Sequence, residues 1–262
     1  METTGKVTLV GSGPGDPGLI TVKGLRALQR AEVVLYDRLI APELLAEAPL
    51  SAEVIPVGKI PGEHCLPQAE INTLLIAKAQ QGKRVVRLKG GDPFVFGQGG
   101  EECEALAAAG IPFEVVPGVT SAIAVPAYAG IPVTHRRHAS LFTVVTGRTQ
   151  NGGYVDWEAL PTQGTLIFLM GAARLAEIAD RLQTHGWEAS TPAAVIHRGT
   201  TCHQQVVRAA LAEIATAAAH LEAPSVIVVG EVVRLQERIS WFDPGASETT
   251  RVEFTQLLAA IS

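Results

Sequence analysis

Between Arg84 and Glu102 the chain reads Arg-Val-Val-Arg-Leu-Lys-Gly-Gly-Asp-Pro-Phe-Val-Phe-Gly-Gln-Gly-Gly-Glu-Glu, and few architectures accommodate such a stretch. Val85, Val86 and Leu88 predict a strand that stops abruptly at Gly90-Gly91. Glycine lets a backbone take φ > 0 or approach a ligand closely, and Pro93 fixes the direction of exit. The acid pair then opens a helix expected over Glu101–Ala109, because carboxylates suit the positive N-terminal end. The alternative, an ordinary turn, rarely needs more than about 4–6 residues. A glycine-rich loop between a strand and a helix is where open α/β sheets bind ligands, so an α/β fold with a ligand loop is expected.

A chain of 262 residues makes one large domain or two of ordinary size. With 47% apolar and 18% charged residues it has the material for a substantial core. The net charge of −5 argues against a nucleic-acid surface, which is normally a basic domain or stripe. Gly, Pro or a charge interrupts each apolar run before the ~18–20 residues of a membrane span. From Met1 the chain passes into a strand and a glycine loop, with no signal-type segment. Cys65, Cys103 and Cys202 are widely spaced and form no C-x-x-C pair, which fits a reducing compartment and excludes a sequence-evident zinc site. The expectation is a cytoplasmic protein with no metal, no nucleic-acid partner and no membrane contact.

Lys6–Val10 predicts a strand, followed by Gly11-Ser12-Gly13-Pro14-Gly15-Asp16-Pro17-Gly18. A dinucleotide fingerprint leads straight into a helix, whereas Pro14 and Pro17 break the register and Thr21 is the expected N-cap. Strands at Glu32–Tyr36 and Glu53–Val57 end in Asp37-Arg38 and Gly58-Lys59, which would lie near one sheet edge. A solvated salt-bridge cluster explains those charges equally well. A helix around Ile71–Lys78 ends before Gly82, and Phe113–Val116 closes the first half.

Pro117-Gly118 is a natural break, giving domains 1–116 and 117–245 and a peripheral tail, 246–262. Thr120 or Ser121 caps a small-residue segment ending at Gly130. His135-Arg136-Arg137-His138 is the densest cationic cluster, and strand Leu141–Thr146 ends in Gly147-Arg148. Further strands are expected at Thr165–Met170, Ala193–Ile196, Val206-Val207 and Ser225–Val229, with helices over Ala172–Thr184 and Leu211–Ala219. The remainder after Val229 reads as polar and peripheral.

Two α/β halves with glycine loops at strand ends make a cleft between domains the default ligand site. No Walker lysine pattern, nucleophile elbow or Cys/His pairing is present. What remains is carboxylates (Asp37, Asp92, Glu101), cations (Arg38, Lys59, Arg136, Arg137, Arg148) and many backbone donors. That set suits a polyanionic molecule beside a neutral or zwitterionic cofactor.

Several motifs, in this order and spacing, make the chain resemble the tetrapyrrole methylase family from Gly11 to Phe242. They are Gly11–Gly18, Tyr36–Leu39, Val57–Lys59, Arg87–Gly97, Pro117–Ser121 and Gly130–Arg136, with Met170-Gly171, Gly199-Thr200-Thr201 and Trp241-Phe242. The resemblance implies two α/β domains of the tetrapyrrole methylase type, with the active site in the cleft between them. It implies S-adenosylmethionine as methyl donor, S-adenosylhomocysteine as product, and a homodimer. Donor contacts would fall on Pro14, Gly90, Gly91, Asp92, Val95, Thr120, Ser121, Met170 and Gly199. The substrate implied is uroporphyrinogen III, methylated at C2 and C7 to precorrin-2 for sirohaem, cobalamin or haem d1 synthesis.

By the same resemblance Asp37 is a candidate proton acceptor, Lys59 a donor, and Glu101 an orienting or deprotonating group. Arg38, Arg136 and Arg148 would grip substrate carboxylates bidentately. Family members usually carry Arg where this chain has Gln98, which lacks the charge and fork of a guanidinium. Gln98 is therefore a candidate substrate contact and also the reason for a second reading, a tetrapyrrole binder without turnover. A methylase of a later corrin intermediate is a third. Since the methylase pattern starts at the first strand, a stand-alone methylase is expected.

Overall fold

The computed structural model describes residues 5–58, 66–147 and 155–246. Lys59 and Arg148, the loop through His64, Cys65 and the tail beyond Ala246 lie outside the described residues. The chain divides into two compact units, Met1–Thr120 and Ser121–Ser262.

In the first unit the apolar runs become strands β1 (Lys6–Gly11), β2 (Val33–Tyr36), β3 (Glu53–Pro56), β4 (Arg84–Lys89) and β5 (Phe113–Val116). They form one sheet in the order β3-β2-β4-β1-β5, and every pairing is parallel. Helices α1 (Val22–Leu28), α2 (Gln68–Gln80) and α3 (Gly99–Ala108) supply the crossovers. One face packs Val7, Leu9, Leu35 and Val85 against Ile71 and Leu75 of α2 and Leu106 of α3. The other packs Val10, Val34, Val86 and Leu88 against Leu28 of α1 and the 3-10 segment containing Leu44. Alternation along each strand thus feeds two cores, as a doubly covered parallel sheet requires.

The order has a functional consequence. From β1 the chain crosses toward β2, whereas from β4 it crosses over β1 to β5 in the opposite direction. Adjacent strands whose connections diverge define a switch point, the usual ligand crevice of an open α/β sheet. It lies at Gly11–Gly13 and Gly90-Gly91. No dinucleotide-type helix starts there. Asp16 caps a short 3-10 turn through Gly18 N, and α1 begins only after Thr21, whose side chain accepts from Gly24 N at 3.1 Å.

The second unit comprises α4 (Ser121–Tyr128), β6 (Phe142–Thr146), β7 (Thr165–Leu169), α5 (Leu175–Thr184), β8 (Pro192–His197), β9 (Gln205–Ala210), α6 (Ile214–Ala217), β10 (Ser225–Val229) and α7 (Gln236–Ile239). Its sheet, β6-β7-β10-β8-β9, is mixed: β6 and β7 are parallel and the other pairs antiparallel. Its core gathers Leu166, Phe168, Ile178, Leu182, Trp187, Val195 and Ile227. Strands β6, β7 and β8 consequently run in one direction and release their following loops at one end.

Several expectations need correction. Helix α3 starts at Gly99, two residues early, with Gln98 at its N-cap position. The expected Leu211–Ala219 helix shrinks to α6, and the segment from Ala172 begins as a 3-10 turn before α5. The segment from Gly230 to Phe242 is not peripheral: Val232 and Val233 are buried, and Trp241 packs edge-on against Tyr128 while donating to Ala127 O at 2.9 Å. Charged neighbours hid those few apolar anchors from a composition-level reading.

Candidate functional site

All five loops at the C-terminal end of the first sheet emerge together, because parallel strands share one direction. Three of them touch backbone to backbone. Gly13 and Gly91 form an isolated bridge with N–H···O distances of 3.2 and 2.7 Å, and Ser12 N donates to Lys89 O at 2.8 Å. A Cβ on Gly118 would lie 2.2 Å from Gly91 O, and one on Gly11 would lie 2.6 Å from Gly118 Cα. These glycines permit loop-on-loop packing. Gly90 differs: among the described residues a Cβ there would meet nothing nearer than Leu39 O at 3.5 Å, an ordinary contact rather than a clash.

Asp92 organises this end. Its Oδ1 accepts from Phe94 N at 2.8 Å and its Oδ2 from Gly118 N at 3.0 Å, tying the loop after β4 to the loop after β5. Beyond it the chain curls around the Pro93 carbonyl, which would clash with a Cβ on Gly97 or Gly99. Phe96 (φ 53°) and Gln98 (φ 58°) take left-handed conformations without being glycine. Such conformations cost about 1–3 kcal/mol each and cluster where a loop's shape serves a ligand. Phe94 and Phe96 are both exposed.

Beneath the loops lies a buried charge cluster. Arg87 and Lys89, on the α2–α3 face of β4, are each 2% exposed, and Glu102 of α3 is 0% exposed. Arg87 Nε donates to Glu102 Oε1 at 2.9 Å and its Nη2 to Asp37 Oδ1 at 2.5 Å. Lys89 Nζ lies 2.9 Å from Glu102 Oε1 and 3.9 Å from Asp37 Oδ2. Gln68 Nε2 adds a third donor to Glu102 Oε1 at 3.2 Å. Only Asp37, 31% exposed at the end of β2, reaches solvent. Two cations and two carboxylates compensate one another, as buried charges must.

Burial opposes the Arg87 charge, but Asp37 and Glu102 outweigh it and raise its pKa above the ordinary range. Burial, helped by Arg87, pulls Lys89 below its ordinary value despite the two carboxylates. The Cys103 thiol is pushed up by burial and by Glu102.

In the second unit the loops after β6, β7 and β8 share one end. Gly147 and Gly171 approach so closely that a Cβ on Gly147 would sit 2.5 Å from Gly171 Cα. Met170 (φ 58°) is 52% exposed, and Arg198 and Thr200 are also left-handed at 45° and 69°. Gly199 between them is buried, where a Cβ would lie 2.4 Å from Val125 of α4.

The sequence from residue 6 to residue 215 matches the family model described as Tetrapyrrole (Corrin/Porphyrin) Methylases. The chain belongs to this family. Siroheme synthase of Edwardsiella ictaluri is 53% identical over 239 residues, covering 91% of this chain and 52% of that protein. The chain thus spans about half the length of that relative. The native crystal structure of uroporphyrin III C-methyl transferase from Thermus thermophilus is 44% identical with a TM-score of 0.78, covering 88% of this chain and 100% of that one. The same enzyme complexed with S-adenyl homocysteine matches at the same identity and TM-score, over 88% of this chain and 94% of that one.

Against this family membership, the first unit brings Pro14, Asp37, Arg38, Gly90, Gly91, Asp92, Val95, Gln98 and Thr120 to one sheet end. Arg38 is exposed, and a Cβ on Gly58 would meet its backbone N at 2.3 Å. Ser121 starts α4, Met170 and Gly199 follow β7 and β8, and Arg136 is exposed beside the His135–His138 ring pair. Glu101 is exposed and takes no part in the charge cluster. The buried carboxylate is its neighbour Glu102, which sequence reasoning passed over along with Arg87, Lys89 and Gln68. Two cations in the strand that leads into the glycine loop were the available signal.

Proposed function

We propose that the chain is an S-adenosylmethionine-dependent C-methyltransferase that methylates uroporphyrinogen III at C2 and C7 to give precorrin-2. The observation that carries this reading is the 44% identity over the full length of the Thermus thermophilus uroporphyrin III C-methyl transferase chain, an enzyme also solved with S-adenyl homocysteine. Siroheme synthases matched over about half their length support the same reading.

The residues present fit the donor. The side-chain-free backbone at Gly90 and the small residues around it suit a ribose and adenine that must approach closely. Pro14, Gly91, Asp92, Val95, Thr120, Ser121, Met170 and Gly199 are the other proposed donor contacts. Both Asp92 oxygens already accept backbone N–H groups, so its first role is to hold the loop, with spare lone pairs for a donor hydroxyl or ammonium. The bound donor supplies an electrophilic methyl group. The protein holds the macrocycle carbon in line with it, which removes about 7–11 kcal/mol of barrier when alignment is good.

A macrocycle proton must leave after transfer, and Asp37 is the proposed acceptor because it alone of the buried cluster reaches solvent. Lys59 as proton donor, Glu101 as an orienting group, and Arg38, Gln98, Arg136 and Arg148 as carboxylate contacts complete the proposal. The exposed Phe94 and Phe96 offer an apolar body a surface at the sheet end of the first unit. A cytoplasmic homodimer belongs to the same reading. Incubation with methyl-labelled donor and uroporphyrinogen III under exclusion of oxygen tests it, with label in a tetrapyrrole product expected. Donor binding by calorimetry without such transfer would instead favour the non-catalytic binder.

A further inference from the structure

Resting on the reading above, one feature of the first unit goes beyond it. A buried carboxylate oxygen normally has a donor, yet Glu102 Oε2 has none among the described residues while Oε1 takes three. A purely structural need at a 0% exposed position is met as well or better by an apolar side chain. Glu102 does not touch solvent, so its influence must pass through the cations beside it. Arg87 is the link, since one guanidinium donates to Glu102 through Nε and to Asp37 through Nη2. A planar fork with one edge fixed fixes the other.

We propose that Glu102 is the positioning residue for Asp37: it anchors Arg87 and Lys89, which orient the Asp37 carboxylate and set its basicity for proton removal from the macrocycle. With Glu102 ionised, Asp37 sits in a neutral group of four charges. Without that charge, the two buried cations face Asp37 alone. Among the described residues the groups bearing on Asp37 are Arg87 and Lys89 from β4 and, behind them, Glu102 and the Cys103 thiol from α3. An excess positive charge favours the carboxylate, so the acceptor becomes a weaker base and protonates only at lower pH.

The test is Glu102→Gln, which keeps the shape and one acceptor, alongside Glu102→Asp, which keeps the charge but shortens the reach. For Glu102→Gln, kcat is expected to fall by about tenfold with KM for both substrates nearly unchanged. The acid limb of its kcat–pH profile should move to lower pH by about one unit. Glu102→Asp should lose kcat but keep the limb in place. An unmoved limb in a folded Glu102→Gln protein overturns the proposal, as does a loss confined to KM. A second readout needs no turnover: the pH at which the Asp37 carboxyl 13C signal titrates, assigned with Asp37→Asn, should drop in Glu102→Gln. If the wild type transfers no methyl group, the functional reading fails. The 13C titration then decides the coupling, which a coincident curve would refute.

Discussion

The two units cover five-stranded sheets by different means, and the difference explains where chemistry gathers. Parallel strands in the first unit deliver every following loop to one end, so motifs far apart in sequence meet at the switch point between β1 and β4. Antiparallel partners in the second unit send only the loops after β6, β7 and β8 to one end. Its central strands β7 and β10 are buried along their whole length with almost no charge. In β4, by contrast, the buried run ends in Arg87 and Lys89. One sheet ends in a compensated charge cluster and the other is an uncharged core with strained, glycine-lined loops.

The largest expected effect strikes the single solvent-reaching member of that cluster. Asp37→Asn should lower kcat by about 10²–10⁴-fold, measured by steady-state methyl transfer. Next comes stability, where the units should fail alike for opposite reasons. Phe168→Ala leaves a cavity in the second core and should cost about 3–5 kcal/mol by urea denaturation. Arg87→Met should cost about as much by leaving two carboxylates against one buried cation. Replacing Arg87, Lys89 and Glu102 together by apolar residues should restore much of that stability without restoring turnover, which no cavity mutant of the second unit can mimic.

The glycines sharpen the contrast within the first unit. Gly118→Ala, forced onto Gly91 O, should destabilise by about 1–3 kcal/mol. Gly90→Ala should leave the melting temperature in place and weaken donor binding by about tenfold in calorimetry. The smallest effect is at the surface. Lys23 and Lys6 hold the Glu114 carboxyl down to about 2, from an ordinary 4.5. A depressed folded value means stabilisation present above pH 4.5 and lost as pH falls toward 2. Glu114→Gln should therefore cost under about 1 kcal/mol at neutral pH, and nothing near pH 2.

Strand positions were legible because apolar runs such as Phe113–Val116 and Ser225–Val229 are bounded by glycine, proline or charge. The family was legible because its motifs are loop sequences held at fixed spacing. Strand direction in the second unit was not, since β10 pairs antiparallel with strands 28 or more residues away on contacts that leave no local trace. The buried carboxylate was missed for a geometric reason. Consecutive helical residues point about 100° apart, so starting α3 at Gly99 decides that Glu102 faces inward and Glu101 outward. Arg87 and Lys89 were passed over because a strand's sequence does not reveal the compensating carboxylates brought in from the end of β2 and from α3.

The central claim is best tested by the mass of the product formed anaerobically from uroporphyrinogen III and S-adenosylmethionine, for the wild type and Gln98→Arg. Two methyl additions by the wild type are predicted, with the Arg variant no more than a few-fold faster. No addition by either protein would contradict the account, and addition by the Arg variant alone would mark the wild type as a tetrapyrrole binder rather than a methylase.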